Sequence, residues 1–167
     1  MLDWALDQDK HPVYIAIPSG PVVHAEDPVR TNFDDLNIYE VTRQGSKVAV
    51  LALGDFYDLG EKTVEALSST LGIEATLVKP YFASGVDQNL LDNLVKDHDV
   101  IVTIEDGIIE GGWGQNIASY LGTSSARVLN YGVKKAFYDR VNIADLMRES
   151  HLDPELIAVD IKQVLGL

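Results

Sequence analysis

Few groups in this sequence can do chemistry, and the densest cluster is Gly111-Gly112-Trp113-Gly114. It follows an apolar run at residues 100–104 (VIVTI) and opens a helix-like segment. Backbone N–H groups in such a loop can face an anion. A dinucleotide fingerprint needs G-x-G-x-x-G after the first strand and an acidic residue about 20 positions on. Here G-G-x-G comes late in the strand order, so that reading fails. The plainer alternative is close packing of a helix start against a sheet. Glu105 and Asp106 end the same apolar run, where α/β proteins place function. Paired carboxylates can divide acid and base roles. Strand neighbours point to opposite faces, however, which disfavours a shared proton and leaves two surface carboxylates as the simpler reading. Asp55 follows Gly54 at the end of another apolar run and is either a ligand contact or a helix cap, the cap being preferred. The candidate anion-binding or interface positions are therefore Asp55, Glu105, Asp106, Gly111, Gly112 and Gly114, and none is assigned a catalytic role.

The remaining reactive types are sparse. His11, His24, His98 and His151 include no pair at i, i+4, and no H-E-x-x-H occurs, so no metal site is expected. Ser19 lies in P-S-G-P and not in the G-x-S-x-G of a hydrolase elbow. The absence of cysteine excludes thiolate nucleophiles, disulfides and cysteine metal sites, and is compatible with a cytoplasmic protein. Trp4 and Trp113 read as packing anchors. Lys134, Lys135 and Arg140 form the one basic cluster and read as a solvated face. With 26 acidic and 13 basic residues, the net charge of −13 argues against nucleic acid and anionic membrane as partners. No apolar run approaches the roughly 18 residues of a membrane span, and the acidic N-terminus does not read as a signal peptide.

The elements that must position these groups read in two unequal parts. Residues 1–8 suggest a short helix broken by His11-Pro12, and residues 13–17 a buried strand. Residues 21–46 read as a linker with an edge strand at its end, over 36–43. From residue 47 strand and helix alternate. Strands are predicted over 47–53, 73–78, 100–104 and 128–131, and helices over 57–71, 88–96, 114–121, 143–149 and 154–165. Gly72, Asp87 and Asp153-Pro154 supply stop and start signals. This alternation implies a three-layer α/β/α fold around a mainly parallel sheet.

The order of segments resembles a known family. Residues 102–114 (VTIEDGIIEGGWG) and 48–54 (VAVLALG) resemble the C-terminal domain of the transketolase-like thiamine enzymes. Residues 1–20 resemble the end of that family's pyrimidine-binding domain. The tail, residues 128–140 and 151–165, is similar to the deoxyxylulose 5-phosphate synthase branch. The resemblance implies three parts: a remnant of the pyrimidine-binding domain at 1–20, a linker at 21–46 and a transketolase C-terminal-like domain at 47–167. It also implies that thiamine diphosphate and Mg²⁺ are held between the other domains of the intact enzyme and not by this chain. The partners would be those domains and a second copy in a homodimer. The intact enzyme would join pyruvate to glyceraldehyde 3-phosphate with loss of CO₂, and this piece would support it without being catalytic alone. The branch usually carries arginines in R-Y-P-R-G for the substrate phosphate, whereas Ala16 and Ser19 stand there in this sequence. A transketolase, a 2-oxo acid dehydrogenase β subunit and a non-catalytic interaction module are the alternatives.

Overall fold

The computed structural model describes residues 1–17 and 30–167. The chain divides into two compact units, Met1–Leu36 and Asn37–Leu167. In the first, helix α1 (Leu2–Asp7) has no buried residue. Trp4 meets Phe33 edge-on at 5.8 Å and donates its indole N–H to Asp34 Oδ1 at 2.9 Å. That hydrogen bond holds the Asp34 carboxyl below its ordinary range. The expected strand at 13–17 does not form. Tyr14 and Ile17 are 92% and 85% exposed. An apolar run becomes a strand only when a neighbour takes up its backbone hydrogen bonds, and no strand lies in the described part of this unit. Ser19, His24 and residues 21–29 of the expected linker fall outside the described residues.

The second unit is built on a five-stranded sheet of order β1-β3-β2-β4-β5, from β1 (Glu40–Arg43), β2 (Lys47–Ala52), β3 (Thr76–Lys79), β4 (His98–Ile108) and β5 (Arg127–Val133). β2, β3, β4 and β5 are parallel and β1 runs antiparallel on β3. β2 shows why the sheet needs cover on both sides. Val48, Val50 and Ala52 enter one core, and Ala49 and Leu51 the other. On the first face α2 (Tyr57–Leu71) and α6 (Pro154–Leu165) supply Val64, Leu67, Ile157 and Ile161. On the second, α3 (Gln88–Asp97) and α4 (Trp113–Tyr120) supply Leu91, Leu94, Trp113 and Ile117. The three-layer α/β/α arrangement follows from that double burial.

The helix boundaries follow local chemistry. Asp87 Oδ1 accepts the Leu90 N–H and starts α3, and Asp153 Oδ1 accepts two N–H groups at the start of α6. Asn142 does the same for α5 (Ile143–Glu149). Gly72 ends α2 at φ 64, a conformation glycine adopts without strain. β3 begins at Thr76, later than expected, and runs on to Lys79. β4 is longer than the 100–104 run. Its register breaks after Ile104 and resumes at Ile108, opposite Val133.

One polar chain crosses the buried start of the sheet. His98 is 5% exposed. Its Nδ1–H donates to Leu94 C=O at 2.8 Å, and Thr76 Oγ1–H donates to its Nε2 at 2.8 Å. This tautomer is assigned from the partners, because a carbonyl can only accept. Thr76 Oγ1 in turn accepts the Gly45 N–H at 2.9 Å. Replacing Thr76 with Val leaves the buried His98 acceptor and the half-buried Gly45 donor without partners, at a cost of about 1–3 kcal/mol. Urea unfolding should place Thr76→Val well below Thr76→Ser, which keeps the hydroxyl. Equal midpoints for the two variants would show that the network adds nothing.

Candidate functional site

Connections from β2 run to β3 on one side and from β4 to β5 on the other, so the strand order switches between β2 and β4. Open α/β sheets place ligands outside the carboxyl ends at such a point. Leu53 N–H donates to Ile104 C=O at 2.9 Å, which sets the two strand ends side by side. Five of the six candidate residues, all but Asp55, lie at and beyond the end of β4. The Asp55 turn leaves the end of β2 beside them.

Glu105 is 6% exposed. Its Oε2 accepts the Trp113 N–H and its Oε1 the Gly114 N–H, both at 2.8 Å. These are first-turn donors of α4, which have no partner inside the helix. The strand-end carboxylate thus caps the helix that follows it. The helix dipole and two charge-assisted hydrogen bonds offset its loss of water. The other two N–H groups of the cluster are also engaged. Gly112 donates to Ile109 C=O at 3.0 Å and Gly111 to Gln115 Oε1. Every donor of Gly111-Gly112-Trp113-Gly114 therefore points at an acceptor of the chain itself.

The glycines make this closeness feasible. A Cβ on Gly112 would lie 2.5 Å from Ile108 O and 2.7 Å from Glu105 Oε1. One on Gly114 would lie 2.3 Å from Thr103 Oγ1, which donates to Asn130 Oδ1 at 2.8 Å. The start of α4 thus rests on side chains of β4 and β5, with none of its own at Gly112 or Gly114 in the way.

Asp106 points away from Glu105 and is exposed, as strand alternation requires. Asp55 is exposed in a 3₁₀ turn (Gly54–Phe56). It does not cap α2: the residue at that position is Phe56, and no side chain accepts there. The preferred reading of Asp55 as a cap is therefore corrected. The 3₁₀ turn moves the helix start past it.

Sequence spacing gave no sign of two further groups. Tyr39 donates its hydroxyl to Gly85 C=O at 2.9 Å and accepts the Trp113 indole N–H at 3.0 Å, while its own N–H donates to Asp87 Oδ2. Trp113 is thus tied to the α3 cap through a residue 74 positions away. Burial pushes the Tyr39 phenol up from 10.0 to about 12. On the opposite face Tyr131 and His151 both donate to Asp160 Oδ2, at 3.1 and 2.7 Å. Burial, then the Asp160 charge, raises the Tyr131 phenol.

Two predictions follow from this geometry. Glu105→Ala strands two buried N–H groups at a helix start and should cost about 3 kcal/mol of unfolding free energy, whereas exposed Asp106→Ala should stay within about 0.5 kcal/mol. Equal effects in denaturant titrations would remove the capping role. Separately, a phenol raised in the folded state contributes stability that is complete below pH 10 and lost as pH climbs through about 12. Unfolding measured across that window should show a decline that is shallower in Tyr39→Phe. Tyr131 adds to the decline in the same direction, so the slopes of the two proteins are the quantities to compare.

The comparisons with known proteins agree with this architecture. The family model "Transketolase, C-terminal domain" matches residues 39–157. A 1-deoxy-D-xylulose-5-phosphate synthase from Pseudoalteromonas translucida is 35% identical over 159 residues, covering 93% of this chain and 24% of the relative. One from Clostridium tetani is 28% identical over 167 residues, covering 99% and 26%. The chain thus spans about a quarter of the length of the curated relatives it matches. Among solved structures, a split-gene transketolase described as an inactive β4 tetramer aligns with TM-score 0.71 at 23% identity, over 88% of this chain and 46% of that one. A transketolase variant from Pichia stipitis aligns with TM-score 0.54 at 16% identity, over 77% and 18%. These two show the shared fold. With the family model matched over residues 39–157, the chain belongs to the transketolase C-terminal domain family.

Proposed function

We propose that this chain is the C-terminal portion of a deoxyxylulose 5-phosphate synthase-like enzyme. The observation that carries this reading is the 35% identity to such a synthase across 93% of the chain. The intact enzyme would join pyruvate to glyceraldehyde 3-phosphate, releasing CO₂ and forming deoxyxylulose 5-phosphate in the cytoplasm. Thiamine diphosphate supplies the carbanion chemistry in that reaction, held with Mg²⁺ by the other domains. The site described above does not fit a diphosphate, because its helix-start donors are engaged by Glu105, Ile109 and Gln115. No step is therefore assigned to residues of this chain. Its part is structural: it packs against the remaining domains and supports a homodimer. The six candidate positions serve that part, Glu105 and the glycines by fixing the turn, and Asp55 and Asp106 as exposed interface groups. The synthase reading is preferred to a transketolase because the transketolase likeness, at 16–23% identity, speaks for fold alone.

A thermal-shift titration tests this. A ligand at 100 times its Kd adds about 2.7 kcal/mol of stability. Thiamine diphosphate with Mg²⁺ should leave the melting temperature of this chain unchanged and raise that of the full-length gene product, which should also form deoxyxylulose 5-phosphate. A saturable rise in this chain alone would overturn the assignment of the cofactor to other domains. A full-length product that neither binds the cofactor nor makes the sugar phosphate would overturn the synthase reading.

A further inference from the structure

Strand β5, last in the sheet order, and helix α6 enclose a cleft away from the Glu105 turn. It measures about 420 Å³ and is lined by Leu129, Asn130 and Tyr131 from β5 and by Asp160, Gln163 and Val164 from α6. Small-molecule sites span about 300–1,000 Å³. Leu129 and Val164 are partly buried against the first core, so the cleft has apolar walls. Arg127 donates to Val164 C=O and fixes the end of α6 beside β5.

Asp160 is the charged group of this cleft, with its side chain 29% exposed. Oδ2 takes the Tyr131 hydroxyl and the His151 Nδ1–H, which fill the two lone pairs of that oxygen. Oδ1 accepts nothing from the described residues, and no lysine or arginine among them pairs with Asp160. With the imidazole neutral, both donors are uncharged and the carboxylate keeps its full charge. The backbone holds it in this state. His151 sits at φ 55, where the chain leaves α5 through a Leu152 N–H to Met147 C=O bond. Glycine meets that φ without strain and a histidine does not. The imidazole placed there reaches across to Asp160 on α6.

A half-buried carboxylate with one open oxygen is completed by a cation. The geometry selects which kind. A guanidinium fork matches a carboxylate through both oxygens, and here Oδ2 is already filled. An ammonium is a compact point charge with three donors, which one oxygen can hold. Gln163 offers a second acceptor at the rim, and an alkyl stem can lie along Leu129 and Val164. We infer that the cleft between β5 and α6 is a binding site for a primary alkylammonium group, with Asp160 Oδ1 as its counter-ion. Tyr131 and His151 are positioning residues that orient the carboxylate, and Leu129 and Val164 are the wall for the alkyl chain. This site is independent of the synthase reading.

Amide chemical shifts of the isotope-labelled chain test this. The probes are n-butylammonium, n-butylguanidinium and Nα-acetyl-lysine methylamide at about pH 8, where a free imidazole is uncharged. The expected result is saturable n-butylammonium shifts centred on the cleft residues of β5 and α6, with the guanidinium bound more weakly. Asp160→Asn should weaken the ammonium at least about tenfold. Tyr131→Phe relieves Oδ2 of one hydrogen bond and should narrow the preference over guanidinium. Gln163→Lys, at an exposed position, tethers an ammonium beside Asp160 and should weaken the free probe about tenfold with the melting temperature held, which keeps the test sharp if Asp160→Asn unfolds. Equal binding of the lysine derivative assigns the cleft to a lysine side chain of a partner, and binding of n-butylammonium alone assigns it to a small free amine. Shifts absent or spread over the acidic surface, or an affinity unchanged in both Asp160→Asn and Gln163→Lys, would overturn the site. A guanidinium bound as tightly as the ammonium would overturn the choice of cation. None of these results touches the synthase reading, which the cofactor titration of the full-length product decides.

Discussion

The carboxylate of Glu105, held by two N–H groups at the start of α4, is the constraint on which the site end of the domain depends. A buried carboxylate must find donors or pay heavily for lost water. A helix start must find acceptors for its free N–H groups. Joined, the two demands fix the path between β4 and α4 to a turn that only small residues fit. Gly112 and Gly114 leave no space for a Cβ. Trp113, between them, is then directed into the second core, where its indole N–H reaches Tyr39. Tyr39 fastens the segment at Gly85, and Asp87 both holds the Tyr39 backbone and starts α3. One acid–helix contact is thereby coupled to the cover on the whole second face.

The fold was largely legible because its signals are local. Uniformly apolar runs such as residues 48–53 mark strands buried on both faces, and Gly72, Asp87 and Asp153 mark helix ends within a few residues of where they act. What failed was also physical. The run at 13–17 has the composition of a buried strand, but composition does not provide the neighbour that would pair with it. β4 continued past its apolar stretch because the ladder to β5 resumes at Ile108 after a break, and hydrogen-bonding continuity leaves no mark in hydropathy.

The site was legible in part. Residue types and position in the strand order picked out Glu105 and the glycines, and alternation separated Glu105 from Asp106. The sequence did not reveal that the anion facing the glycine turn would be Glu105 itself. The two lie eight and nine positions apart, across a register break that no period describes. Tyr39, 74 residues from Trp113, and His98, bridging Thr76 and Leu94, were invisible for the same reason. Their roles are set by which strands become neighbours, and strand order is a property of the whole sheet.

The position of this cap also bears on what the domain is for. Doubly covered parallel sheets place helix-start donors at the carboxyl end of the strands, where other α/β proteins meet phosphates. Here those of the α4 turn are directed inward, onto an acid from the strand they follow. The geometry that would make a binding crevice has been used to make a joint. A joint of this kind fits the structural role proposed for this chain, because it ties the end of β4 to the start of α4. The hydrogen bonds of Glu105 hold the shape of this turn, while Asp55 and Asp106 stay exposed beside it.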